Sequence, residues 1–116
     1  MQNWGYHVVT EVYGCHPEIL GDISLIQDAM VNAAEKAGAE ICNAVFQEYQ
    51  AEGISGAFVT QCSHIAIHTW VDLDCAVIDI FSCNEQDNLF QVCSSVAEEL
   101  GATRWDVAVR QKEPVL

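Results

Sequence analysis

Two segments with a single apolar face, separated by β-branched runs, constrain the fold of this chain more than any other feature. The first helix is predicted after Asp22, a potential N-cap, and Gly38 stands where a C-terminal stop belongs. The second is predicted from about Glu85 to Leu100, and Gly101 follows it. Their apolar positions are Ile23, Ile26, Met30, Ala33, Ala34 and Ala37, then Leu89, Val92, Cys93, Val96, Ala97 and Leu100. Each face needs another layer to pack against.

Runs rich in β-branched and aromatic residues surround these helices and predict the strands of a sheet. The runs are Tyr6–Gly14, Ala39–Gln50, Ala57–Cys62 continuing as strand through Ser63–Trp70, Cys75–Cys83 and Thr103–Arg110. The segments EGISG, beginning at Glu52, and VDLD, beginning at Val71, predict turns. This order predicts an α+β fold, a two-layer sandwich in which two helices cover one face of an antiparallel sheet. With 116 residues, the chain is expected to form a single domain, residues 1–116.

The net charge and the start of the sequence limit the partners and the cellular location that we expect, and through the location the state of the cysteines. The net charge is −13 with four Lys and Arg residues, so a nucleic-acid partner is not expected, because phosphate binding needs basic side chains. The start, MQNWGYHVV, lacks the pattern of a signal peptide, and no apolar run is long enough to cross a membrane, so we expect a cytoplasmic protein. The six cysteines are then expected to be reduced and mostly buried.

The segment SHIAIHTW, from Ser63 to Trp70, concentrates reactive side chains in a predicted strand. Since side chains alternate between the faces of a strand, Ile65 and Ile67 are expected to face the helices. The side chains of His64, His68 and Trp70 are then expected on the other face.

A hairpin over Val71–Asp74 predicts the partner of each of these residues. If Trp70 pairs with Cys75, the register places His68 opposite Val77, His64 opposite Phe81 and Cys62 opposite Cys83. A hydroxyl, up to two thiols and an imidazole are thereby gathered near one another at one end of the hairpin.

Three interpretations of this cluster remain open from the residues alone. The first is a structural strand pair with buried thiols and hydrogen-bonded histidines. The second is a metal site formed by Cys62, His64 and His68, although this spacing matches no strong zinc signature. The third is nucleophilic chemistry, with Ser63 as nucleophile, an imidazole as base or acid, and Cys83 as proton donor or second nucleophile.

The sequence GISGAFVTQCSHIAIHTW, continued by AVIDIFSC, resembles the prokaryotic S-adenosylmethionine decarboxylase proenzymes. Members of that family carry Gly-[Val/Ile]-Ser-Gly, Glu-Ser-His, His-Thr-Trp-Pro-Glu and Asp-[Val/Ile]-Phe-Thr-Cys. The resemblance extends to GYHVVTEVYGC near the start, so it covers most of the chain.

The resemblance implies a pyruvoyl-dependent decarboxylase of polyamine and spermidine biosynthesis that makes its own cofactor from Ser63. The proenzyme would cut itself between Cys62 and Ser63, giving a β chain, 1–62, and an α chain, 63–116. Ser55 and His68 match the residues that assist this processing. In the mature enzyme the substrate amine forms a Schiff base with the pyruvoyl ketone, CO2 is lost, and Cys83 matches the acid that reprotonates the α-carbon.

The resemblance also implies how a cationic amino-acid substrate is bound. Tyr49 and Trp70 stand where the family stacks adenine, and Asp72 stands at the position of a glutamate that recognises ribose. The implied assembly is a homodimer of αβ protomers paired through their sheets, with active sites built from both subunits.

Three departures from the family pattern fall close to these residues. Cys62 replaces the glutamate before the serine, Val71-Asp72 replaces Pro-Glu, and Asn84 replaces the glycine after the catalytic cysteine. Because the changes affect substrate recognition, the alternatives are the same chemistry on L-arginine or L-ornithine, or a catalytically silent paralogue that binds a partner.

Overall fold

A computed structural model describes residues 5–50, 52–83 and 86–112 of the chain, and these form one antiparallel sheet with helices on one face. The strands follow the order β2-β3-β4-β5-β1-β6 across the sheet. Along the chain the elements are β1 Gly5–Tyr13, α1 Pro17–Leu20, α2 Ile23–Lys36, β2 Ile41–Glu48, β3 Ile54–Thr60, β4 Ser63–Trp70, β5 Cys75–Ser82, α3 Gln86–Glu99 and β6 Arg104–Lys112. A single 3-10 turn, Val71–Leu73, joins β4 to β5.

The core lies between the sheet and the two long helices, α2 and α3, which confirms the predicted two-layer α+β fold. Asp22 caps α2 as expected, because its Oδ1 accepts hydrogen bonds from the backbone N–H groups of Ser24 and Leu25 at 3.0 and 3.1 Å. The apolar face predicted for α3 is buried along its described length. Ile65 and Ile67 face this core with 3% and 0% of their surfaces exposed, as the alternation in β4 predicted.

The structure differs from the sequence-based prediction in the segment before Ser63. The predicted continuous strand over residues 57–70 is wrong, because the chain reverses at Gln61–Cys62 and β3 and β4 form a hairpin. The predicted turn at Glu52–Gly56 is also too long, since β3 already begins at Ile54. The short helix α1 was not predicted, and the expected helix start at Glu85 lies outside the described residues.

Contrary to expectation, most of the cysteines are not buried, and two of them are not reduced, because the sulfur atoms of Cys62 and Cys83 are in bonding contact. Cys15 and Cys93 are in the core, whereas Cys42 and Cys83 are exposed and Cys75 is half-buried. Burial raises the pKa of the Cys15 thiol to about 11 and also raises the pKa of Cys93. These two core thiols therefore stay protonated at neutral pH. No helix in the described parts of the chain is long and apolar enough to cross a membrane.

Candidate active site

The hairpin turn between β3 and β4 fixes the hydroxyl of Ser63 at the first residue of β4. Thr60, the last residue of β3, lies across the turn, and its hydroxyl is hydrogen-bonded to the Ser63 hydroxyl. The same Thr60 oxygen also lies 3.3 Å from the backbone nitrogen of Cys62, which donates to it. The Ser63 side chain is thus held next to the peptide bond that precedes it.

The carbonyl of Cys62, which belongs to that peptide bond, is hydrogen-bonded to the neighbouring strand. Its oxygen accepts a hydrogen bond from the backbone N–H of Cys83 at 3.2 Å. An N–H aimed at a carbonyl oxygen polarises the carbonyl and stabilises negative charge that develops on the oxygen during nucleophilic attack. The turn therefore combines a hydroxyl nucleophile with a polarised carbonyl.

The register predicted for the hairpin between β4 and β5 is confirmed. Trp70 lies opposite Cys75 and His64 opposite Phe81. At the end of the hairpin the sulfur atoms of Cys62 and Cys83 are in bonding contact, and their Cα atoms are 5.8 Å apart. The Cys83 side chain consequently lies directly beside the residue that precedes Ser63.

The histidine next to Ser63 is on the opposite face of β4 from the core. His64 is exposed and its ring stacks on Phe81, with 5.9 Å between ring centroids. Among residues 5–50, 52–83 and 86–112, no group of three His, Cys, Asp or Glu side chains is arranged to hold a metal ion. The geometry thus gives no support to the metal interpretation of Cys62, His64 and His68.

A second cluster pairs Ser55 with His68. These residues face each other across β3 and β4, and the Ser55 hydroxyl lies 2.8 Å from His68 Nδ1. The glycine after Ser55 allows Phe46 to pack over the strand, because a Cβ on Gly56 would lie 2.0 Å from the Phe46 ring. A hydroxyl hydrogen-bonded to an imidazole is a pair that can exchange protons with a reacting group.

The same end of the sheet holds a cavity of about 270 Å³ lined by two aromatic side chains. Tyr49 and Trp70 line it together with Ser55 and His68, and Glu52 contributes a carboxylate. Asp72 is exposed on the 3-10 turn after Trp70 and is not among the lining residues. Four of the predicted residues thus line one cavity, but its carboxylate comes from Glu52 and not from the predicted Asp72.

The two clusters do not meet within one chain. Ser63 and His68 are five residues apart on the same strand, and at 3.3 Å per residue this is about 17 Å. A proton cannot pass directly between side chains at that distance. If both clusters act on one reaction, they must come from different copies of the chain.

Sequence reasoning missed three participants: the Thr60 hydroxyl, the Cys83 backbone N–H and the Glu52 carboxylate. Thr60 could have been found by placing a two-residue turn at Gln61–Cys62, which pairs residues 60 and 63. Glu52 precedes the Gly53 turn and carries no comparable signal.

Comparisons with known proteins, by family model and by sequence, identify the same family. The model of the family described as S-adenosylmethionine decarboxylase matches residues 6–113. A protein named S-adenosylmethionine decarboxylase proenzyme from Syntrophomonas wolfei is 46% identical over 102 residues, which cover 88% of this chain and 81% of that protein. The protein of the same name from Moorella thermoacetica is 44% identical, with 88% and 82% covered.

A solved structure extends the comparison to the fold. The adenosylmethionine decarboxylase of Aquifex aeolicus VF5 superimposes with a TM-score of 0.90, covering 100% of this chain and 96% of that one. At 21% sequence identity, this likeness concerns the fold.

Proposed function

Since the chain belongs to the S-adenosylmethionine decarboxylase family, we propose that it is a proenzyme that cuts itself before Ser63 and then decarboxylates S-adenosylmethionine. The observation that carries this proposal is the arrangement around one peptide bond. The Ser63 hydroxyl is held at the turn, the Cys62 carbonyl accepts an N–H, and the Cys83 side chain lies alongside.

Self-cleavage uses groups that this turn already brings together. Ser63 Oγ attacks the Cys62 carbonyl carbon, the C–N bond breaks, and an ester replaces the amide. Loss of the Ser63 α-proton then expels the Cys62 carboxylate and leaves dehydroalanine at position 63. Water converts it to a pyruvoyl group and releases ammonia. A cavity of about 220 Å³ lined by Thr60, Gln61 and Cys62 gives water access to the turn.

The residues around position 63 fit the pyruvoyl group that the family uses. The precursor serine is the first residue of a strand, and the backbone N–H of Cys83 is already bonded to the carbonyl that must be released. When formed, the group supplies a ketone that holds the substrate amine and withdraws electrons as CO2 leaves. In the reduced protein, the Cys83 thiol is the acid that we assign to the return of a proton to the substrate α-carbon.

Thr60 is expected to position Ser63 for attack. Thr60→Val removes the hydroxyl while keeping a β-branched shape, so self-cleavage should slow roughly three- to tenfold, the worth of one hydrogen bond. The rate is measured from the fraction of intact chain with time after synthesis. Thr60→Ser restores a hydroxyl and should recover most of the rate. Equal rates in Thr60→Val and the unmodified chain would show that the hydroxyl takes no part.

We assign the assembly as a homodimer of αβ protomers that pair through the sheet faces away from the helices. Apolar side chains are exposed on that face, including Val45, Val59 and Trp70 with 69%, 46% and 40% of their surfaces accessible. Such a patch on an antiparallel sheet is typical of an interaction surface. When two copies pair, the Ser55–His68 cluster of one protomer can lie close to Ser63 of the other. Within one chain these groups are too far apart.

This composite site predicts complementation between two inactive variants. Ser63→Ala lacks the nucleophile and His68→Ala lacks the assisting imidazole, so each expressed alone should remain uncut. When the two are expressed together with different tags, the His68→Ala chain should be cut, because its Ser63 meets His68 of the partner subunit. A gel that resolves the two tags measures this. Cleavage absent from mixed dimers that are shown to form would contradict the shared site.

For the substrate we assign the aromatic cavity to the adenosyl group. Tyr49 and Trp70 offer two ring faces, on which a base stacks and near which a sulfonium cation is favoured. The carboxylates of Glu52 and of the exposed Asp72 are available to accept hydrogen bonds from substrate hydroxyls and to attract a cationic group. Arginine and ornithine, also cationic, are the alternative substrates.

The experiment that tests the function compares the three amino acids under identical conditions. CO2 release is expected from S-adenosylmethionine and at least about tenfold less from L-arginine or L-ornithine. Faster CO2 release from a free amino acid would show that the assigned substrate is wrong. If fully cleaved protein releases no CO2 from any of the three, the silent paralogue is favoured. A cytoplasmic location remains our expectation.

A further inference from the structure

The thiol at Cys62 is the departure from the family pattern that lies closest to the proposed chemistry. Family members carry glutamate here, and self-cleavage needs only the backbone carbonyl of this residue. The side chain is half-buried and adjoins Cys83, which is exposed at the end of β5. The thiol thus stands next to the proposed catalytic acid without a role in the reaction itself.

The backbone presents Cys62 and Cys83 to each other in a geometry suited to a disulfide. Their Cα atoms are 5.8 Å apart, inside the usual range of about 4.4–6.8 Å for disulfide-linked residues. Their sulfur atoms are in bonding contact. The hydrogen bond from Cys83 N to Cys62 O, 3.2 Å long, fixes the two backbones side by side. Oxidation therefore needs no movement of either strand.

The other cysteines do not compete for this pairing. Cys15 and Cys93 are buried, and Cys42 is exposed on the edge strand β2. Cys75 pairs in register with Trp70 at the far end of the same hairpin from Cys83.

We infer that Cys62 and Cys83 form a reversible disulfide that switches the decarboxylase off by consuming its catalytic acid. The inference rests on the proposed function, because it assigns the loss of activity to Cys83. The oxidant is a small-molecule disulfide such as oxidised glutathione. One thiolate attacks it and releases one glutathione thiol, and the second cysteine attacks the mixed disulfide and releases the other. Two cysteine thiols are oxidised, and one glutathione disulfide is reduced to two thiols.

Self-cleavage gives this bond a distinctive signature. After the cut, Cys62 is the last residue of the β chain and Cys83 belongs to the α chain, so the disulfide joins the two fragments covalently. The oxidised enzyme should migrate on a non-reducing denaturing gel as one species of the full chain's size. The reduced enzyme should separate into its two fragments.

The test treats the self-cleaved protein with oxidised glutathione and follows fragment linkage, mass and CO2 release. We expect linked fragments, loss of two hydrogen atoms from Cys62 and Cys83 without glutathione bound to either, and at least a tenfold fall in activity that dithiothreitol reverses. Cys62→Ser should leave the fragments unlinked and carrying glutathione instead. Cys75→Ser, the control within the same hairpin, should link as the unmodified chain does. Separate fragments after oxidation of the unmodified protein, or linked fragments that keep full activity, would overturn the inference.

The Ser63→Ala variant, which keeps both thiols in an uncut chain, distinguishes failure of the disulfide inference from failure of the proposed function. Oxidation should protect Cys62 and Cys83 of this variant from iodoacetamide without glutathione bound to either, whereas the exposed Cys42 is free to carry glutathione. Protection without any self-cleavage in the unmodified protein would support the disulfide and reject the enzyme. Self-cleavage without protection would reject the disulfide and leave the enzyme intact.

Discussion

Ser63→Ala is expected to keep the chain whole at 12.8 kDa and to abolish decarboxylation completely. The change removes the hydroxyl that Thr60 holds beside the Cys62 carbonyl, and without that oxygen neither the ester nor the pyruvoyl group can form. The loss should be total because the reaction loses its electron sink, not one of several contributions to the rate. Denaturing gels and CO2 release measure the two consequences on the same sample.

The matched control is Ser24→Ala, which removes an exposed serine hydroxyl from α2 on the helical layer. It should cut and decarboxylate as the unmodified chain does. A particular rival is attack by the Cys62 thiol on the preceding carbonyl of Gln61. That route would move the cut by one residue and would survive Ser63→Ala. Fragments ending at Gln61 in the alanine variant would therefore contradict the assignment of Ser63.

Cys83→Ser is expected to separate the two stages of the chemistry. Self-cleavage should continue, because the hydrogen bond to the Cys62 carbonyl comes from the backbone N–H of residue 83. Decarboxylation should fall by about 10²- to 10⁴-fold, the usual contribution of a positioned general acid, since a serine hydroxyl is a far weaker acid than a thiol. Rates of chain cutting and of CO2 release, measured on one preparation, test both halves.

The matched control is Cys42→Ser, which removes an exposed thiol on β2 and leaves the proposed acid, Cys83, in place. It should be active and fully cut. If Cys83→Ser decarboxylates at the unmodified rate after normal cutting, another group returns the proton. If it fails to cut although it folds, the Cys83 side chain takes part in processing as well.

The layered fold could be predicted because its determinants are local. Asp22 caps a helix through its own neighbours, and alternation along β4 separates Ile65 and Ile67 from the histidines whatever lies beside them. The register that brings Cys62 to Cys83 also follows from one short turn between adjacent strands. Long-range order is different: β6 joins the sheet beside β1, a placement that no local pattern in either strand encodes.

The candidate site was predicted less completely, for a physical reason that lies in one turn. The segment from Ala57 to Trp70 contains no glycine, proline, asparagine or aspartate, so the reversal at Gln61–Cys62 lacks the strongest turn signals. Missing it hid the contact between Thr60 and Ser63. It also hid the contact between Ser55 and His68, which requires β3 and β4 to pair.

The central claim is that this chain converts its own Ser63 into a pyruvoyl group, and intact mass measurement of the purified, reduced protein tests it most directly. Two fragments are expected, residues 1–62 and 63–116, and the second should be lighter than the same peptide with an N-terminal serine by the mass of one ammonia molecule. A single uncut chain of 12.8 kDa, or a second fragment that begins with an unmodified serine, would contradict it.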